Sequence, residues 1–214
     1  MKVTQVGTGL WCWTTYHDDW GEDVGCVYCE IRDGPERAAV LVDPLVPGDE
    51  AERFWEALDR DVERVGGEVH VLVTVFWHTR STAAVVERYG ARVWAPTRGR
   101  PAIERRVGVV TDAYRDGDRL PGGIEAFRTA RAAEVVFWIP EHRALVPGDV
   151  LLGDGNGGLR LCPPTWLPES SSVEKVAESL RPLLDLPVER VLVSHGVPVL
   201  DDARSALETA LQGP

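Results

Sequence analysis

The sequence predicts an α/β protein, a four-layer αββα sandwich in which two sheets pack face to face with helices outside. Three observations predict it. Residues 1–46 read as strands alone. The middle then alternates strand, helix, strand, helix and strand, and its H-V-L-V-T-V run is almost wholly apolar, as a strand covered on both faces must be. Strands return after residue 122 and give way to a closing helix, strand and helix.

Each element has a local reason. V-G-C-V-Y-C-E-I and A-A-V-L-V-D-P-L-V are rich in β-branched and apolar residues, with D-G-P-E (residues 33–36) as the turn between them. Asp49 and Glu50 open a helix in which Ala51, Phe54, Trp55, Leu58, Val62 and Val65 form one apolar stripe, and Gly66-Gly67 ends it. Beyond H-V-L-V-T-V, the stretch S-T-A-A-V-V-E-R-Y-G is a short helix with a Ser/Thr start and a Gly stop. A-R-V-W-A-P is the next strand, and residues 97–122 read as irregular and charged.

G-I-E-A-F-R-T-A, E-V-V-F-W-I-P and R-A-L-V-P-G-D are strands, the last two joined by a P-E-H-R hairpin whose His142 is expected in solvent. Residues 153–168 form a Gly/Pro-rich loop. S-S-S-V-E-K-V-A-E-S-L-R-P-L-L is a capped helix with Val173, Val176, Ala177 and Leu180 on one face. V-E-R-V-L-V-S-H-G is a final core strand, and a closing helix carries Ala203, Ala206, Leu207, Ala210 and Leu211. No repeat or linker divides the chain, so one domain over residues 1–214 is expected.

Composition narrows the function classes. Asp plus Glu is 34 against 23 Lys plus Arg, a net charge of −11, which argues against a general binder of nucleic acid or anionic membrane. No apolar run approaches the roughly 18 residues of a spanning helix, and M-K-V-T-Q-V-G-T-G-L lacks a signal peptide's apolar core. A cytoplasmic protein without nucleic-acid or membrane partners is expected, acting on a small molecule. Cys12, Cys26, Cys29 and Cys162 read as small buried residues. C-V-Y-C lies in a strand, where a separation of three places Cys26 and Cys29 on opposite faces. Among eight Trp, the group Trp11, Trp13 and Trp20 flanks the first strands, fitting either a lid or core packing.

Ligands in α/β sheets gather at strand carboxyl ends. Three such ends carry acid-base or metal-capable groups: His78 after H-V-L-V-T-V-F, Asp149 after R-A-L-V-P-G, and His195 after V-L-V-S. His70 opens its strand and so lies at the far end.

At these positions the chain resembles the metallo-β-lactamase-fold superfamily, over roughly residues 22–212. The family marker H-x-H-x-D-H is met by F-W-H-T-R-S. Phe76 replaces the first histidine, His78 matches the second, Arg80 replaces the aspartate and Ser81 the last histidine. Asp149 in A-L-V-P-G-D matches the bridging aspartate, and His195 in S-H-G the late histidine. Arg131 lies close to the place of a middle histidine that is missing, and D-P-L-V near residue 43 also resembles the family. The resemblance implies hydrolysis of esters, thioesters, lactones, lactams or phosphoesters with one or two zinc ions.

Three readings of the altered site follow. One zinc or iron ion is held by His78, Asp149 and His195, with His17 from Y-H-D-D-W as a fourth group. Alternatively no metal is bound, and Arg80 and Arg131, beside Trp77, take a carboxylate or phosphate. An inert variant of this pairs Arg80 with Asp149 in a salt bridge. In the third, His195 and His78 do acid-base work oriented by Asp149, with Ser81 or Ser194 as nucleophile, although strand alternation points Ser194 away from His195. The leading function is a small-molecule hydrolase on a single-metal site; the alternative is a non-catalytic or anion-binding protein.

Overall fold

The computed structural model describes residues 1–32, 37–115, 117–131 and 133–212. The expected D-G-P-E turn lies outside them. The chain begins with β1 (Lys2–Gly7), β2 (Leu10–His17), β3 (Glu22–Ile31) and β4 (Ala38–Val42). Next come α1 (Ala51–Val65), β5 (Glu68–Leu72), α2 (Thr82–Tyr89), β6 (Arg92–Pro96), α3 (Arg100–Val107) and β7 (Asp112–Tyr114). The second half runs β8 (Glu125–Arg128), β9 (Val135–Ile139), β10 (Ala144–Pro147), β11 (Leu151–Gly153), β12 (Leu159–Leu161), α4 (Val173–Leu180), β13 (Arg190–Val191) and α5 (Ala203–Leu211).

Among the described residues, β1 to β7 form one sheet in chain order, antiparallel up to β4 and parallel from β4 onward. A second sheet has the order β13-β10-β9-β8, and β11 pairs with β12. The two-residue period of the strands builds the layers. Val40 and Val42 of β4 and Phe137 and Ile139 of β9 meet between the sheets, with Leu10 and Leu72. Leu41 and Val71 face the other way, under Phe54 and Leu58 of α1, Val85 of α2 and Ile103 of α3. Trp138 and Leu145 face α4 and α5 through Val176, Leu180, Leu207 and Leu211. The result is the αββα sandwich, each buried large apolar side chain contributing on the order of 1.5–3 kcal/mol. The four cysteines are free and buried, and Cys26 and Cys29 lie in different layers. No helix among the described residues is long and apolar enough to cross a membrane.

Several expectations need correction. Residues 97–122 contain α3 and β7. The apolar pattern of α3 is nearly absent because only Ile103 is buried, and its local signals are Pro101 in the first turn and a left-handed Gly108 cap. The expected loop at residues 153–168 contains β12. His142 is buried rather than solvated, although its hairpin forms as expected.

The final strand departs from expectation in a way that builds the site. Its ladder is regular only over Arg190–Val191, after which the chain crosses toward the first sheet. Leu192 N–H still donates to Leu145 O, but the Ser194 carbonyl accepts from Gly25 N–H of β3 at 2.7 Å. Gly25 is required there, since a Cβ would stand 2.2 Å from Val193 O. Likewise, Gly153 N–H donates to His195 O, and a Cβ on Gly153 would stand 2.7 Å from Val197 N. Two bare backbone positions thus fix His195 at the edge between the sheets.

Candidate functional site

His78 sits in a short turn of 3-10 helix (Phe76–Thr79) beyond β5 and is completely buried. Its Nδ1 lies 2.9 Å from Asp43 Oδ2 and 3.1 Å from Thr74 Oγ1. Asp43 ends β4 with a left-handed backbone (φ 48°), which turns its carboxylate back under β5 to accept Thr74 N–H at 2.8 Å and the Thr74 hydroxyl. An ionised carboxylate only accepts, so the proton of the neutral His78 ring lies on Nδ1 and the Nε2 lone pair points the other way.

That lone pair meets Asp149 Oδ1 at 3.0 Å, and His195 Nε2 lies 3.1 Å from the same oxygen. His78 Nε2 and Asp149 Oδ1 are buried and make no hydrogen bond. Two lone pairs at this distance repel unless a cation lies between them, either a proton or a metal ion. One ligand atom from each of His78, Asp149 and His195 falls within 4.8 Å of the others. Metal bonds of about 2.0–2.2 Å hold neighbouring ligand atoms roughly 3–3.5 Å apart, which the two separations from Asp149 Oδ1 match, so the three residues form a group that could hold one divalent ion.

The other Asp149 oxygen is fully engaged. Oδ2 accepts from Trp77 Nε1 at 2.7 Å and from Arg131 Nη1 at 3.3 Å, and the Arg131 guanidinium lies 4.4 Å over the Trp77 ring. The buried Glu134 accepts the backbone N–H groups of Asp149 and Val150 on Oε1 and faces Arg131 with Oε2. Burial tends to raise the Asp149 carboxyl, but contacts from His195 and His78 outweigh it and hold the group well below the usual carboxylate range. Burial and then Asp149 push Glu134 up to about 7, against the pull of Arg131. Burial and Arg80 disfavour a charged His78, yet Asp43 and Asp149 win and raise its pKa.

Above the trio opens a cleft of about 300 Å³, walled by Trp20, Trp77 and Trp166 with Glu22 and Arg131. Trp20 lies 5.5 Å from the His78 ring and 5.9 Å from the His195 ring. His17 stacks on Trp20 at 4.1 Å and is not among the clustered ligand atoms of the described residues, so it supports the wall instead of reaching over as a fourth group.

Arg80 does not join Arg131 in the cleft, and its expected pairing with Asp149 is made by Arg131 instead. Its Nη1 donates to Gly25 O at 2.8 Å and Asp43 O at 2.9 Å, and its Nη2 to Ser194 Oγ at 2.7 Å. A left-handed backbone (φ 37°) turns it that way. Neither serine approaches a histidine as a nucleophile would: Ser194 Oγ accepts from Arg80, and Ser81 Oγ from Val46 N–H. Trp13 packs on Phe54 in the core, whereas Trp20 alone of the early tryptophans overhangs the site.

Sequence reasoning missed Glu134, Thr74, Glu22 and Trp166. Glu134 had a signal, being a lone acid against the wholly apolar V-V-F-W-I. Asp43 had the same signal at the end of A-A-V-L-V and was noticed only for its likeness to a family motif.

A sequence model described as the metallo-beta-lactamase superfamily matches residues 1–212. A hydroxyacylglutathione hydrolase from Methylobacterium sp. (strain 4-46) is 31% identical over 193 residues, 87% of this chain and 64% of that protein. The chain therefore spans just under two thirds of that relative's length. Among solved structures, a metallo-beta-lactamase from Pontibacter korlensis superposes with a TM-score of 0.71 at 18% identity, covering 100% of this chain and 99% of that one. A beta-lactamase domain protein from Burkholderia ambifaria gives 0.71 at 16% identity, covering 97% of this chain and 74% of that one. At these identities the structures speak for the fold alone.

Proposed function

Because the chain belongs to the metallo-beta-lactamase superfamily, we propose that it is a hydrolase of small molecules, in the ester, thioester, lactone or phosphoester class, working on a single-metal site. The observation that carries this is the convergence of His78 Nε2 and His195 Nε2 on Asp149 Oδ1, at 3.0 and 3.1 Å, with His78 Nε2 and Asp149 Oδ1 buried and without a hydrogen bond. The hydroxyacylglutathione hydrolase relative favours a thioester within that class. His78, Asp149 and His195 would hold one zinc or iron ion. Such an ion, when bound, supplies Lewis acidity and lowers the pKa of a bound water.

The chain's own groups do the rest. Asp43 fixes the His78 tautomer, as an acidic partner behind a ligating histidine does. Arg131 presents a fixed positive charge beside Asp149, where it neutralises that carboxylate and can orient a substrate carboxylate or phosphate. Trp20, Trp77 and Trp166 give the cleft apolar walls against which the apolar part of a substrate can pack.

The rival reading, a binding protein without catalysis, draws on Arg131 occupying Asp149 Oδ2. A panel of acyl thioesters, lactones and phosphoesters, assayed with zinc-loaded or iron-loaded protein, separates the two. Turnover abolished by His195→Ala supports the hydrolase. A panel without turnover by a metal-loaded, folded protein supports the binding protein.

A further inference from the structure

Glu22 stands to His195 as Asp43 stands to His78. Both histidines turn Nε2 toward Asp149 Oδ1, at 3.0 and 3.1 Å. Behind His78, Asp43 accepts from Nδ1. Behind His195, Nδ1 is buried and makes no hydrogen bond, and Glu22 Oε2 lies 3.5 Å away. Asp149 and Glu22 are the carboxylate neighbours of His195 among the described residues. Glu22 begins β3, pairs across the hairpin with His17, and lies at the foot of the turn that carries Trp20. Its side chain is half exposed and lines the cleft, so a small rotation brings its carboxylate into hydrogen-bond range.

We propose that Glu22 is the positioning residue of His195: its carboxylate accepts the Nδ1 proton, leaves the Nε2 lone pair toward Asp149, and so completes the ligand set. An acceptor-only group on one ring nitrogen fixes the tautomer of the other. Nothing in the family marker points to this acid, which follows from geometry alone. The consequence for ion binding rests on the single-metal reading above, whereas the tautomer does not.

The test uses the full chain with Glu22→Ala and Glu22→Gln. The His195 tautomer is read in metal-free protein by long-range proton–nitrogen NMR, and affinity by Co²⁺ titration. Asp149 competes for the ring proton on Nε2, so wild type should hold a larger fraction of His195 with the proton on Nδ1 than Glu22→Ala does. The Co²⁺ Kd should rise about 10- to 100-fold in Glu22→Ala. Glu22→Gln, whose amide oxygen still accepts, should lose less. The metal-free Tm should stay unchanged, because the side chain is half exposed. An unaltered tautomer and unaltered Kd in Glu22→Ala overturn the proposal. Wild type that fails to bind Co²⁺ overturns the single-metal reading alone, and the tautomer ratio then decides the role of Glu22.

Discussion

His78 Nε2 and Asp149 Oδ1 stand 3.0 Å apart, both buried and without a hydrogen bond between them. The ring cannot turn away, because Asp43 and Thr74 hold its other nitrogen. The carboxylate cannot swing away, because Trp77 and Arg131 hold its other oxygen. Each partner is fastened from behind and pressed toward the other, which is the arrangement expected of ligands that wait for a cation.

Asp43 is the fastening for His78, and its removal should be felt in two ways. Asp43→Ala leaves the Thr74 N–H buried without its acceptor and the His78 Nδ1–H with the Thr74 hydroxyl alone, at a cost of about 1–3 kcal/mol. It should also weaken divalent metal about 10- to 100-fold. Asp43→Asn, which tolerates the left-handed backbone and keeps an acceptor, should lose less of both. Thermal melting and Co²⁺ titration measure the two effects.

Arg80 is structural, tying β3, β4 and the His195 segment together through Gly25 O, Asp43 O and Ser194 Oγ. Arg80→Met should cost about 3 kcal/mol, roughly 6–12 °C in Tm. Any stabilisation of the protein by phosphate or carboxylate should survive the change, measured against the variant's own baseline.

Arg131 should behave in the opposite way. Its guanidinium is the cleft's cation, so phosphate and small carboxylates should raise the wild-type Tm and fail to raise that of Arg131→Ala. In a turnover assay the variant should show its loss mainly in KM for anionic substrates.

His142 gives a pH dependence remote from the site. Burial and then Arg190 lower its pKa below the ordinary 6.5. The fold therefore favours the neutral ring, while the unfolded chain takes up a proton as pH falls through 6.5. The contribution is fully present above 6.5 and is lost toward lower pH, with a slope of at most about 1.4 kcal/mol per pH unit. Denaturant melts of wild type and His142→Gln between pH 7.5 and 5 should converge at the acid end.

The layered fold was legible because its core strands are apolar runs with turns between them, and α1 carries a clean stripe. Where burial is sparse, as in α3 with Ile103 alone, the pattern carried too little signal. The trio His78, Asp149 and His195 was legible because each follows a core strand. The direction of Arg80 was not. It depends on one left-handed residue and on three acceptors far apart in sequence, Gly25, Asp43 and Ser194. Glu134 and Glu22 were hidden for the same reason, since their partners meet only once the sheets are stacked.

The central claim is that His78, Asp149 and His195 act together on one ion, and the metal content of the purified protein tests it most directly. Elemental analysis of full-length protein from cells supplied with zinc and iron should find about one equivalent of metal in wild type and a near-complete loss in His78→Ala/His195→Ala. Metal far below one equivalent, unchanged in the folded double variant, would contradict it.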